Sequence, residues 1–238
     1  MMKNKDCNKY LWFFPYYFIL FILIERLPLF TSFHEIHCAL DDKIPFCEYF
    51  IVPYVLWMVL IPLFLVYTYK NNTAWFKRFM SFMILAWTMV WPIFLLYPSQ
   101  VHLRPEALEI TNVFRWMCSI IYTADTPTNV CPSMHVIGMI GLLLASWDVK
   151  PLNKPVARLI SVILTLLVCA STLFMRQHSV LDVIAALPVT AVAAWFTLGY
   201  REKAFLAVRG RWLRRRRNKK TVPSLGTYLR QLKQKTAN

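Results

Sequence analysis

Long apolar runs separated by short polar stretches dominate this chain. Continuous hydrophobic segments recur near residues 11–24, 50–69, 79–97, 134–147, 159–175 and 180–198. None alternates apolar and polar positions with the period of two that a barrel wall requires. Several approach the roughly 20 residues that carry a helix across a bilayer. The first run is short and is expected to continue past Glu25 and Arg26 toward Phe30. The pattern predicts an all-α integral membrane protein, a six-transmembrane-helix bundle.

Composition supports that reading. Of 238 residues, 58% are hydrophobic and only 16% charged, a balance foreign to soluble domains. The net charge of +15 is unevenly placed, because residues 201–238 carry 13 Lys and Arg against one acid, Glu202. This shift divides the chain into a membrane domain, 1–200, and a basic cytoplasmic tail, 201–238. A block such as Arg214, Arg215, Arg216 and Arg217 directly after a span reads as an anchor at anionic headgroups, and no nucleic-acid partner is expected.

Basic residues also set the orientation. Lys3, Lys5 and Lys9, the loop with Lys70, Lys77 and Arg78, the loop with Lys150, Lys154 and Arg158, and the tail fall on one side, which should be cytoplasmic. Both termini then lie there. The first run lacks a small-residue cleavage site, so no cleavable signal peptide is expected. The outer side receives residues 26–49, residues 98–133 and the turn around Gln177. Cys38, Cys47, Cys118 and Cys131 sit on that side, where Cys38–Cys47 and Cys118–Cys131 bridges and free thiols are equally open. No Cys/His spacing suggests zinc.

The residues that suggest chemistry fall on the same outer side. His178 and Asp182 are four apart and share a helix face. An Asp one turn into an apolar span is costly unless paired. Paired with His178, it fixes the tautomer and leaves the other ring nitrogen free as a nucleophile; the alternative is a structural hydrogen bond closing the turn. Pro132 and Ser133 open a helix whose N–H groups suit phosphate oxygens, with His135 one turn in. Arg104 and Arg176 supply cations able to bind those oxygens. These groups suit metal-free phosphoryl transfer: His178 attacks phosphorus, His135 protonates the leaving oxygen, and Arg104, Arg176 and Ser133 hold the remaining oxygens. A metal site would want several outer carboxylates in close order, and Asp41-Asp42 is the one such pair. Neither metal nor cofactor is expected.

At these residues the chain resembles the type 2 phosphatidic acid phosphatase superfamily. Arg104-Pro105, Pro132-Ser133-x-His135 and His178-x3-Asp182 match the family's three motifs in order. The resemblance implies a six-helix bundle acting on a lipid phosphate or phospholipid, with His178 as nucleophile, His135 as acid and base, and Asp182 orienting His178. It implies a cell-membrane enzyme whose site faces the extracytoplasmic side. Two positions depart from the pattern: the family's first-motif lysine is Tyr97, and the arginine after Ser171 is Thr172. With Cys131 ahead of Pro132 and the segment Leu40-Asp41-Asp42-Lys43-Ile44-Pro45-Phe46, the chain looks similar to the inositol phosphorylceramide and sphingomyelin synthase branch. Those relatives transfer a phospho-headgroup between lipids. Two other classes stay open: transport along intramembrane His, Asp and Arg, and an inactive lipid-binding relative.

Overall fold

A computed structural model of the chain describes residues 5–26, 30, 32–200 and 202. Except for Glu202, the predicted basic tail lies outside the described residues, as does Lys3. Helices α1 (Lys5–Leu11) and α2 (Phe13–Arg26) are followed by a segment that contains strand β1 (His34–Glu35) and two short 3-10 turns. Then come α3 (Ile51–Asn71), α4 (Thr73–Leu96), strand β2 (Ser99–Gln100), α5 (Val113–Ala124), α6 (Met134–Ser146), α7 (Pro155–Phe174) and α8 (Val180–Thr197).

Local chemistry sets several boundaries. Asn72 joins α3 to α4: its N–H donates to Thr68 O, 2.7 Å, while its side-chain oxygen accepts from Trp75 N, 3.3 Å. One residue thus closes one helix and caps the next. Pro155 opens α7 at a position where no amide is needed.

Among the described residues, five helical segments are long and apolar enough to cross a membrane: Asp6–Glu25, Glu48–Asn71, Thr73–Leu96, Pro155–Phe174 and Val180–Thr197. The remaining predicted span coincides with α6, which has 13 residues. At about 1.5 Å per residue it is shorter than a span running straight through a bilayer. It lies against α3, α4, α7 and α8.

Burial in this unit, which runs to Leu198, has the sense expected in lipid. Val156, Leu159, Ile163 and Leu166 form an exposed apolar stripe along α7, and Leu181, Ile184 and Leu187 one along α8. In water such stripes would be covered. The inner face of α4 buries Phe76, Phe79, Phe82, Met83, Ala86 and Val90. Two glycines let α6 approach its neighbours. A Cβ on Gly141 would fall 2.0 Å from the Phe82 ring, and one on Gly138 2.9 Å from both Ile61 and the Trp57 indole nitrogen.

The outer segments are more ordered than a loop reading suggests. β1 and β2 pair in parallel, His34 with Ser99 and Glu35 with Gln100. Helix α5 occupies what the sequence reading treated as loop. Asn112 caps it by accepting from Arg115 N, 2.9 Å, and Glu48 accepts from Asn112 Nδ2 and Arg115 Nε, each at 3.2 Å, pinning α5 to the start of α3. All six cysteines are free thiols, so of the two options left open for the outer four, neither bridge is formed. For Cys118 and Cys131 the physical reason is placement. Cys118 packs with Ile51, Tyr54 and Met175, whereas Cys131 packs with Ile36, Val101 and Val130.

Candidate active site

The end of α7 and the start of α8 form one hydrogen-bonded corner. Gln177 N and His178 N both donate to Thr172 O, at 3.0 and 3.1 Å, and Arg176 takes a positive φ of 55° to make the turn. Ser179 then caps α8, its hydroxyl oxygen accepting from Leu181 N at 3.1 Å. Asp182 closes a capping box by accepting from Ser179 N at 2.8 Å. The same oxygen, Oδ2, lies 3.2 Å from His178 Nδ1. Asp182 is fully buried and His178 is 7% exposed. A carboxylate there accepts the Nδ1–H, so His178 Nε2 carries the lone pair.

His178 Nε2 points to His135, whose Nδ1 is 3.3 Å away. His135 is the second residue of α6. Its ring packs between Tyr54 and Trp57 of α3, with centroids at 4.8 and 4.6 Å. The two helix starts are tied directly, Ser133 N donating to Asp182 O at 3.2 Å. The Ser133 hydroxyl is fully buried and has no hydrogen-bond partner among the described residues. The structure therefore brings His135, His178, Asp182 and Ser133 together.

The two arginines are placed differently. Arg104 donates from Nη1 to Tyr122 O at 3.1 Å and from Nη2 to Asp125 O at 2.7 Å, and Nη2 also reaches Gln177 Oε1. Its guanidinium sits 4.5 Å from the Tyr122 ring centroid. Burial lowers its pKa, offset in part by the nearby Asp125 carboxylate. Arg104 thus stands one side chain behind the histidines. Arg176 donates from Nη1 to Asp41 O, 2.7 Å, and faces the outer segment. Of the two departures from the family pattern, Tyr97 stacks on His34 at 4.0 Å and Thr172 is buried, its hydroxyl bonded to Cys169 O at 2.8 Å.

Sequence reasoning missed Asp41 as a site residue. It is 1% exposed and accepts from Ser179 Oγ at 2.6 Å, Val180 N at 2.8 Å and Cys38 N at 2.8 Å. It therefore supports the corner that carries His178. Its signal in the sequence is an acidic pair in a chain poor in charge, within a segment whose pattern carries a resemblance but no role for the carboxylate. Cys131 is no competing nucleophile: burial, and then the Asp182 carboxylate, push its thiol up to about 12, so it stays protonated.

Both histidines open on a cavity of about 390 Å³. One part of its wall is apolar, with Phe18, Phe21, Trp91 and Phe94; another is polar, with Glu25, Asp125, Asn129 and Gln177. Glu25 Oε1 accepts from Thr126 N at 3.0 Å and also from the Thr126 hydroxyl, joining α2 to the 125–129 loop. Among the described residues no three His, Cys, Asp or Glu side chains converge as metal ligands. A cavity lined by both apolar and polar side chains, with an oriented imidazole in its wall, suits an amphiphile whose polar group reacts.

No curated protein and no solved structure matches the chain. The sequence does match the family model described as the PAP2 superfamily over residues 22–196, a stretch that holds every element from the end of α2 to the last turn of α8. The chain is a member of the PAP2 superfamily, the type 2 phosphatidic acid phosphatases and their relatives.

Proposed function

We propose that this protein is a membrane-embedded, metal-independent lipid phosphatase or phosphotransferase that works through a phosphohistidine on the extracytoplasmic side. The observation that carries the reading is the chain Asp182 Oδ2···Nδ1 His178 Nε2···Nδ1 His135, at 3.2 and 3.3 Å, opening on an amphiphilic cavity. Membership of the superfamily supports phosphatase-type chemistry.

In the first half-reaction His178 Nε2 forms a bond to phosphorus as the bond from phosphorus to the leaving oxygen breaks. The proton on His135 Nδ1 passes to that oxygen. In the second, the oxygen of water or of an acceptor alcohol attacks phosphorus, its proton goes to His135, and the N–P electron pair returns to His178. Asp182 keeps His178 in the productive tautomer and stabilises the charge the ring gains. Ser133 supplies a hydrogen bond for the anionic oxygens, and Arg104 and Arg176 add positive charge from behind the cavity wall. A six-span topology with cytoplasmic termini is the arrangement that puts these groups on the outer side.

Transfer of a headgroup to a lipid alcohol is the second reading. Tyr97 and Thr172 support it, because they replace two cations that would help hold a phosphomonoester dianion. An inactive lipid-binding protein and a transporter are the rival classes. The test is turnover of lipid phosphates, lipid diphosphates and headgroup-bearing phospholipids by purified protein in mixed micelles with EDTA, beside His178→Ala. Phosphate release assigns a phosphatase, and a new phospholipid formed only with an added lipid alcohol assigns a transferase. An inert wild type, or an equally active mutant, sinks the mechanism.

A further inference from the structure

Gln177 is 2% exposed and lies between the corner's positive-φ residue and the nucleophile. Its Oε1 accepts from Arg104 Nη2, and a guanidinium has only donors to offer, so the amide's orientation is fixed by its partner. The opposite end, Nε2, is buried and makes no well-formed hydrogen bond among the described residues, its polar neighbour being the Tyr54 hydroxyl, which gives its own proton to Asp125, and Gln177 lines the cavity beside His178. A buried amide donor left unpaired is destabilising, and such groups call for an explanation. The cavity wall itself, among the described residues, includes neither Lys nor Arg. The wall does hold Glu25 and Asp125, so positive charge for an anionic group can reach the cavity only from behind, through a polar group that Arg104 polarises.

We propose that Gln177 Nε2 is the donor that binds an anionic phosphoryl oxygen of the transferred group, with Arg104 as the positioning residue that holds the amide in that orientation. The inference rests on the phosphoryl-transfer reading and adds to it the contact between enzyme and phosphorus oxygen. Arg104 is then felt by substrate through one hydrogen bond, and a neutral donor stands where a direct cation would over-stabilise the ground state.

The test uses the full chain in mixed micelles, with whichever lipid of the panel turns over and with orthovanadate as the phosphoryl-like probe. Gln177→Glu keeps the bond to Arg104 and removes the amide donor; Gln177→Met removes both and serves if the first variant fails to fold. Either is expected to lower kcat on the order of 100-fold, as loss of one oxyanion donor does elsewhere. KM should change much less, and orthovanadate inhibition should weaken at least about tenfold. Arg104→Lys should lower kcat in the same direction. A Gln177 variant with kcat and orthovanadate inhibition within threefold of wild type, beside a dead His178→Ala, overturns this inference alone. A His178→Ala enzyme as active as wild type, or an inert wild type, overturns the underlying reading and this inference with it.

Discussion

His135 Nδ1 and His178 Nε2 lie 3.3 Å apart, so the proposed acid sits on the very nitrogen proposed to attack phosphorus. With Nδ1 of His178 committed to Asp182, that contact is His135 donating to the His178 lone pair. A substrate must part the two rings before either can act. The separation of their roles gives the first prediction. His135→Ala is expected to lower turnover of an alkyl-leaving phospholipid by about 10²–10⁴-fold, the usual worth of a general acid. With a nitrophenyl leaving group, which departs without a proton, the loss in the first half-reaction should shrink to less than about tenfold. A burst of nitrophenol from His135→Ala would check this; equal loss on both substrates would refute the assignment.

Asp182→Asn tests tautomer control. The asparagine oxygen can still accept from Ser179 N, so the α8 cap survives. The His178 Nδ1–H, however, loses its carboxylate. Turnover should fall on the order of 10⁴-fold, in line with other carboxylate–histidine pairs, while the thermal midpoint stays close to wild type. A large fall in the midpoint with proportional loss of activity would make Asp182 structural alone.

Asp41→Ala should act on the fold first. It removes a buried acceptor from Ser179 Oγ, Val180 N and Cys38 N, at an expected cost of about 3 kcal/mol or more. The wild-type carboxyl carries a pH signature. Burial raises its pKa, but the hydrogen bonds from Ser179, Val180 and Cys38 outweigh burial and leave it below the ordinary value of 3.8. Its stabilisation is therefore complete above that value and fades as pH falls through the lower folded one. The gap between the thermal midpoints of wild type and Asp41→Ala should begin to narrow below about pH 4 and narrow further as pH falls; a constant gap down to pH 2 would contradict the assignment.

Gly141→Ala probes the seat of α6. The new methyl would fall 2.0 Å from the Phe82 ring, and overpacking of this kind costs about 1–3 kcal/mol. Because α6 carries His135 and follows Ser133, activity should drop along with the midpoint. Phe82→Leu in the same chain should restore part of both. No recovery would mean that the strain lies elsewhere.

Motif spacing made the centre of the site legible. His178 and Asp182 are four apart and meet, and the turn that starts α6 brings Ser133 and His135 to them, because these relations are local. Long-range relations were not legible. Asp41 meets Ser179 across 138 positions, and no periodicity announces such a contact. Arg104 was readable as a cation but not as one behind Gln177, since a side chain's reach depends on its neighbours. Helix α5 was read as loop because its 12 residues are too short for a span and carry polar positions on one face. The fourth run was read as a full span from its apolarity, whereas its helix, Met134–Ser146, is 13 residues.

The bond between Asp41 and Ser179 also bears on how the protein is made. The helix that follows the proposed nucleophile is capped by a carboxylate that leaves the ribosome long before it. Until the last apolar segment is inserted, Asp41 has no hydroxyl to receive and His178 has no fixed turn to sit on. A chain halted after α7 would be a membrane protein without a reactive centre.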